Sequence, residues 1–123
     1  MPLSVKICGL STRETLDVAL DAGAEMVGFV FFPASPRHIS LGVAEELGRQ
    51  VRGRALKVAL SVDADDEALE NSIEALRPDM LQLHGNESVA RVRDIKAKFK
   101  LPVMKVIGVA TKDDLAGLAG HAA

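Results

Sequence analysis

A single cysteine, Cys8, stands where a short apolar run ends in glycine: Val5-Lys6-Ile7-Cys8-Gly9-Leu10. A helix-start signal follows directly, so the thiol sits at the end of a strand feeding a loop. Ligands of α/β proteins bind outside the carboxyl ends of the strands, and a thiol there is a candidate base or nucleophile. The same thiol on a helix face would read as inert packing. Arg37 lies in a loop punctuated by Pro33 and Pro36. Alone, an arginine in such a loop reads as a solvated charge. Gln82 and His84 end another apolar run, two residues apart and so on one face of a strand. Alone, His84 could cap the turn that follows or satisfy a carbonyl. Asp63, Asp65 and Asp66 resemble a metal cluster but read better as turn and N-cap residues, and no metal is expected. His38 and His121 carry no spacing signal.

These side chains need a scaffold, and the pattern supplies strand then helix, repeatedly. Leu3 to Cys8 reads as a first strand. Ser11 and Glu14 form a plausible capping box for a helix to about Ala22, closed by Gly23. Met26 to Phe32 is continuously apolar, as in a strand buried on both faces. Ser40 caps a helix to about Val51, and Leu56 to Val62 is a third strand. Asp65 starts a helix ending before Pro78, and Met80 to His84 is a fourth strand. Ser88 caps a helix to about Lys98, Val103 to Val109 is a fifth strand, and Thr111 opens a last helix to about Leu118.

Composition narrows the class. The chain has 123 residues, 48% apolar and 26% charged, with a net charge of −2. That suits one core. Both charge signs are interspersed without a basic block, and Trp and Tyr are absent, so nucleic acid is not an expected partner. No apolar stretch is long enough to cross a membrane, and none of the N-terminal residues forms a signal-peptide pattern. One cysteine forms no internal disulfide, which fits the cytoplasm.

Strands alternating with amphipathic helices mean a parallel sheet with right-handed crossovers. Five such units match either a flavodoxin-like open sheet or the first five units of an eight-stranded barrel, and periodicity does not choose between them. The strand ends do. Lys6-Ile7-Cys8-Gly9-Leu10 resembles the first strand of phosphoribosylanthranilate isomerases. The resemblance continues through Gly28-Phe29-Val30-Phe31 and Ser35-Pro36-Arg37-His38-Ile39-Ser40, then Leu81-Gln82-Leu83-His84-Gly85 and Pro102-Val103-Met104-Lys105. Order and spacing agree from end to end.

The resemblance implies an α/β fold, a partial (β/α)8 TIM barrel holding the first five βα units of eight, with residues 1–123 as the N-terminal part of one domain. It implies an isomerase of tryptophan biosynthesis. The reaction is the Amadori rearrangement of N-(5-phosphoribosyl)anthranilate to the open-chain ketose, without metal or organic cofactor. Cys8 then matches the general base, Arg37 the residue facing the anthranilate carboxylate, and Gln82 and His84 pocket positions. The family's general acid is an aspartate ending the sixth strand, and the phosphate site of such barrels follows the seventh and eighth strands. Both would fall beyond Ala123, so a truncated enzyme, inactive alone, is expected. Its open edge strands could pair with a second copy. Two other classes compete. A receiver-type signalling domain also has five βα units, and would use Asp63 and Lys105, but its acidic pair is missing after the first strand. A non-catalytic assembly module derived from a barrel is the third.

Overall fold

The computed structural model describes residues 5–106. Five parallel strands alternate with four helices: β1 (Lys6–Ile7), α1 (Arg13–Asp21), β2 (Met26–Phe31), α2 (Leu41–Val51), β3 (Leu56–Ser61), α3 (Asp66–Leu76), β4 (Met80–Leu83), α4 (Val89–Phe99) and β5 (Val103–Lys105). The expected continuation of the fifth strand beyond Val106, the helix from Thr111 and the start of the first strand at Leu3 lie outside the described residues.

The sheet order is β1-β2-β3-β4-β5, every pair parallel. A flavodoxin-like or receiver sheet has the order 2-1-3-4-5, which places the second strand outside the first. The receiver reading is therefore corrected: strands laid down in strict succession make an arc of a βα barrel. Helix placement agrees. Arg13 of α1 pairs with Glu46 of α2 at 3.5 Å, and Gln50 of α2 donates to Asp17 of α1 at 2.7 Å. Gly48 of α2 lies so close to the α3 carbonyl of Leu76 that a Cβ there would stand 2.9 Å from it. Arg91 of α4 pairs with Asp66 of α3 at 2.7 Å. Each helix thus neighbours the next, as in the outer ring of a barrel.

The core lies between the sheet and this helical layer. Val27 and Phe29 of β2, Ala59 of β3, and Leu81 and Leu83 of β4 face Leu16, Leu20, Leu47, Val51, Leu69, Leu76 and Ile95 from the helices. Burying each large side chain contributes roughly 1.5–3 kcal/mol. The alternate strand positions, Lys6, Met26, Gly28, Val30, Val58, Leu60 and Gln82, share the other face, which becomes the interior of a barrel.

Local signals explain the helix starts. Ser40, Asp65 and Ser88 are extended N-caps whose side chains accept from the amides of Val43, Ala68 and Arg91. Each such cap is worth about 1 kcal/mol. For α1 the expected Ser11 and Glu14 box is corrected by one residue. Thr12 is the extended residue, and its hydroxyl accepts from the Thr15 amide at 3.2 Å. Gly23 follows the α1 C-cap at φ 84°, a conformation that costs other residues strain.

Candidate active site

Cys8 lies immediately after β1, and Gly28 of β2 lies beneath it. A Cβ on Gly28 would stand 2.8 Å from Cys8 Sγ and 3.3 Å from its Cα. Only glycine there leaves the thiol its place. The backbone completes the contact: the Gly9 amide donates to the Gly28 carbonyl at 3.0 Å, prolonging the β1–β2 pairing past Cys8.

Arg37 reaches the same spot from the loop after β2. That loop folds back on itself, with the Arg37 amide donating to Ser35 Oγ and the Ile39 amide to the Val30 carbonyl, both at 3.1 Å. The arginine side chain then lies across Gly9. A Cβ on Gly9 would stand 2.5 Å from Arg37 Cδ, and Gly9 holds φ 82°. Two glycines therefore make room for a thiol and a guanidinium at successive residues of one strand end.

Gln82 is 7% exposed and faces the same side of the sheet from β4. Its Oε1 accepts from Lys6 Nζ, across the concave face from β1. Since Lys6 stands two residues before Cys8 on one strand, this bond ties the floor beneath Cys8 to β4. His84 follows β4, with its amide donating to the Ser61 carbonyl at 2.9 Å. Its side chain is exposed and makes no hydrogen bond to Cys8, Arg37 or Gln82 among the described residues. The structure thus places Arg37 against the residue that follows Cys8, links Gln82 to β1 through Lys6, and leaves His84 at the rim.

Asp65 caps α3 and Asp66 occupies its first turn, as the sequence suggests. Among the described residues, no group of three or more acidic, histidine or cysteine side chains could hold a metal ion. Asp63 does something the sequence does not disclose. It adopts φ 49°, and its Oδ1 accepts from the Asn86 amide at 2.7 Å. Beside it lies Glu87, whose Oε2 accepts from the Asp63 amide at 2.9 Å and whose Oε1 accepts from the Gly85 amide at 3.0 Å. Lys105 of β5 donates to Glu87 Oε1 at 2.7 Å and to the Gly85 carbonyl at 2.5 Å. The two charged side chains are only 3% and 8% exposed. Burial pushes the Glu87 carboxyl up, but Lys105 and the amides of Asp63 and Glu87 itself together hold it below its ordinary value. Glu87 and Lys6 are not among the residues expected to shape the site, and Lys105 is expected to do so only in the receiver reading. Their partners come from other strands and loops, so only tertiary placement reveals them.

A groove of about 500 Å³ between Glu45, Arg49, Lys57, Glu74 and Arg77 lies on the outer surface of α2 and α3, away from the carboxyl ends of the strands.

Successive parallel strands with their polar groups gathered at the carboxyl ends define a protein of the βα-barrel class. Residues 5–122 match the model of the N-(5'phosphoribosyl)anthranilate (PRA) isomerase family. The chain belongs to that family. It is 70% identical over 122 residues to N-(5'-phosphoribosyl)anthranilate isomerase of Bradyrhizobium sp. (strain ORS 278), covering 99% of this chain and 56% of the relative. It is 68% identical to the enzyme of that name from Nitrobacter hamburgensis, covering 100% and 55%. The chain thus spans just over half the length of these relatives. Among solved structures, phosphoribosyl anthranilate isomerase from Thermotoga maritima superposes with a TM-score of 0.85 at 30% identity, covering 94% of this chain and 55% of that one. A phosphoribosyl anthranilate isomerase in complex with reduced 1-(o-carboxyphenylamino)-1-deoxyribulose 5-phosphate superposes with a TM-score of 0.86, also at 30% identity, covering 94% and 58%. No helix among the described residues is long and apolar enough to cross a membrane.

Proposed function

We propose that residues 1–123 form the first five βα units of one barrel domain, and that the protein isomerises N-(5-phosphoribosyl)anthranilate in tryptophan biosynthesis, in the cytoplasm. The observation that carries this reading is the placement of Cys8 against Gly28 and of Arg37 against Gly9, the residue that follows Cys8. A base and a carboxylate anchor at one strand end suit a substrate with an aryl carboxylate close to the sugar carbon that loses a proton. In the reaction, a general acid protonates the furanose oxygen and the ring opens to a Schiff base. The Cys8 thiolate removes the proton from C2, and the resulting enolamine becomes the ketone, so the step is an isomerisation with no external reductant. Arg37 holds the anthranilate carboxylate through two parallel hydrogen bonds. Gln82 lines the pocket floor and His84 its rim. Further support comes from the solved relative that carries a reduced aminoketose phosphate.

The test is turnover of N-(5-phosphoribosyl)anthranilate by the full chain as its source makes it, beside Cys8→Ser. A general base contributes about 10²–10⁴-fold, so Cys8→Ser loses that much turnover while binding of the reduced product analogue persists. Equal turnover in the two proteins refutes the base role. Self-association through the edge strands β1 and β5 is a separate proposal; sedimentation as a monomer at every concentration removes it.

A further inference from the structure

The buried Glu87–Lys105 pair lies at the carboxyl ends of three strands at once, and none of its atoms belongs to the isomerisation chemistry. We propose that Glu87 is a positioning residue that acts through His84. This rests on the isomerase reading above.

Glu87 is the fourth residue of the five-residue connection from β4 to α4, which begins with His84 and ends with Ser88. Its two carboxylate oxygens take amides from different loops, Oε2 from Asp63 after β3 and Oε1 from Gly85 after β4. Lys105 binds the same Oε1 and also the Gly85 carbonyl. Both polar groups of the peptide units flanking Gly85 are thereby fixed by one ion pair. Asp63 closes the other side: its Oδ1 holds the Asn86 amide, and a Cβ on Gly85 would stand 2.6 Å from Asp63 Cγ. The residue directly before this clamped glycine is His84, whose own amide is tied to the Ser61 carbonyl of β3. Clamping on both sides leaves the His84 backbone one position, with the imidazole free at the rim. A carboxylate is required because three donors converge on it from three strand ends. A neutral amide accepts through one oxygen only and presents an N–H₂ group to a donor.

The test is Glu87→Gln in the full chain, read by amide exchange and by steady-state kinetics. Exchange at Asp63 and Gly85 is expected to accelerate about tenfold or more, while Val58 to Leu60 keep their protection. KM is expected to rise roughly tenfold with a smaller change in kcat, because His84 is assigned to the rim of the substrate pocket. Adding His84→Ala to Glu87→Gln is expected to cost less than His84→Ala costs alone. Lys105→Arg, which keeps a cation, is expected to retain KM. Should Glu87→Gln fail to fold, the double variant Glu87→Gln with Lys105→Met removes both charges and is read in the same way. Unchanged exchange at Asp63 and Gly85, or a loss spread evenly over the sheet, overturns the clamp. Strictly additive losses overturn its action through His84. No turnover by the unsubstituted protein as its source makes it refutes the isomerase reading and the catalytic part of this inference, while exchange still judges the clamp.

Discussion

The two ends of the strand-end surface are built by opposite means. At β1 and β2, Cys8 and Arg37 are held by absence: Gly28 and Gly9 supply no side chain, and the reactive groups occupy the space. At β3, β4 and β5 the loops are held by presence, with a buried carboxylate and ammonium binding backbone amides and a carbonyl. The first arrangement leaves a thiol and a guanidinium their polar atoms to offer to a ligand. The second consumes its charges internally. A charged residue at a strand end is thus no sign of catalysis by itself; what matters is whether its valences are already spent.

The sharpest way to break this comparison is to fill the empty side of it. Gly28→Ala places a methyl 2.8 Å from Cys8 Sγ. The thiol is the end of a short side chain and rotates away, so overpacking costs only about 1–3 kcal/mol. Turnover, which needs the base in position, is expected to fall about 10²-fold. Thermal denaturation beside kinetics separates the two effects, and full activity in Gly28→Ala removes the glycine argument. Gly9→Ala is the companion. It adds left-handed strain of about 1–2 kcal/mol and pushes Arg37 off the β1 loop. We expect a rise in KM of about tenfold with a smaller change in kcat, because Arg37 is assigned to binding.

These glycines also mark how much was legible in the sequence. Alternating strands and helices were readable from apolar runs and caps, and Ser40, Asp65 and Ser88 start their helices as their types suggest. Thr12 displaced Ser11 because two neighbouring hydroxyl residues satisfy the same rule and only backbone geometry selects one. Barrel arc or open sheet was undecidable from periodicity, since strand order is a property of pairing and not of any single strand. The resemblance singled out Cys8, Arg37, Gln82 and His84, but not what makes room for the first two. That room lies at Gly28 and Gly9, nineteen residues and one crossover apart. The Glu87–Lys105 pair was illegible for the same reason: eighteen residues separate two side chains that meet only after β4 and β5 pair.

The spent charges of the second region set a pH dependence. Glu87 has its folded pKa below the unfolded value, despite burial, through Lys105 and the surrounding amides. The unfolded chain therefore binds the proton more readily. Its stabilising contribution is complete above the unfolded glutamate pKa, about 4.3, and is lost as pH falls through the folded value. Denaturant midpoints measured from pH 7 to pH 3 are expected to fall more steeply for the unsubstituted protein than for Glu87→Gln. Parallel curves would show that the pair carries no linkage.

The smallest effect is expected at the other acidic cluster, on the outer face of α3 and α4. Asp66 accepts from Lys98 and from Arg91, and those bonds, Lys98 first, lower its pKa. Like Glu87 it gathers donors on both carboxylate oxygens, but from two cations, where Glu87 takes one cation and two amides. It differs in exposure: its side chain is 37% exposed and that of Lys98 is 46% exposed. Solvent and salt screen such a pair, and holding two long side chains together costs rotamer entropy. Asp66→Asn is thus expected to shift the denaturation midpoint far less than Glu87→Gln at pH 7, with the residual difference vanishing in 1 M salt. Asp66 also stands in the first turn of α3, where a negative charge is favoured, so the direction of the small shift is destabilising. An Asp66→Asn loss as large as that of Glu87→Gln, and insensitive to salt, would mean that the number of cations on a carboxylate outweighs its burial, contrary to the distinction drawn between spent charges inside the fold and solvated ones on its surface.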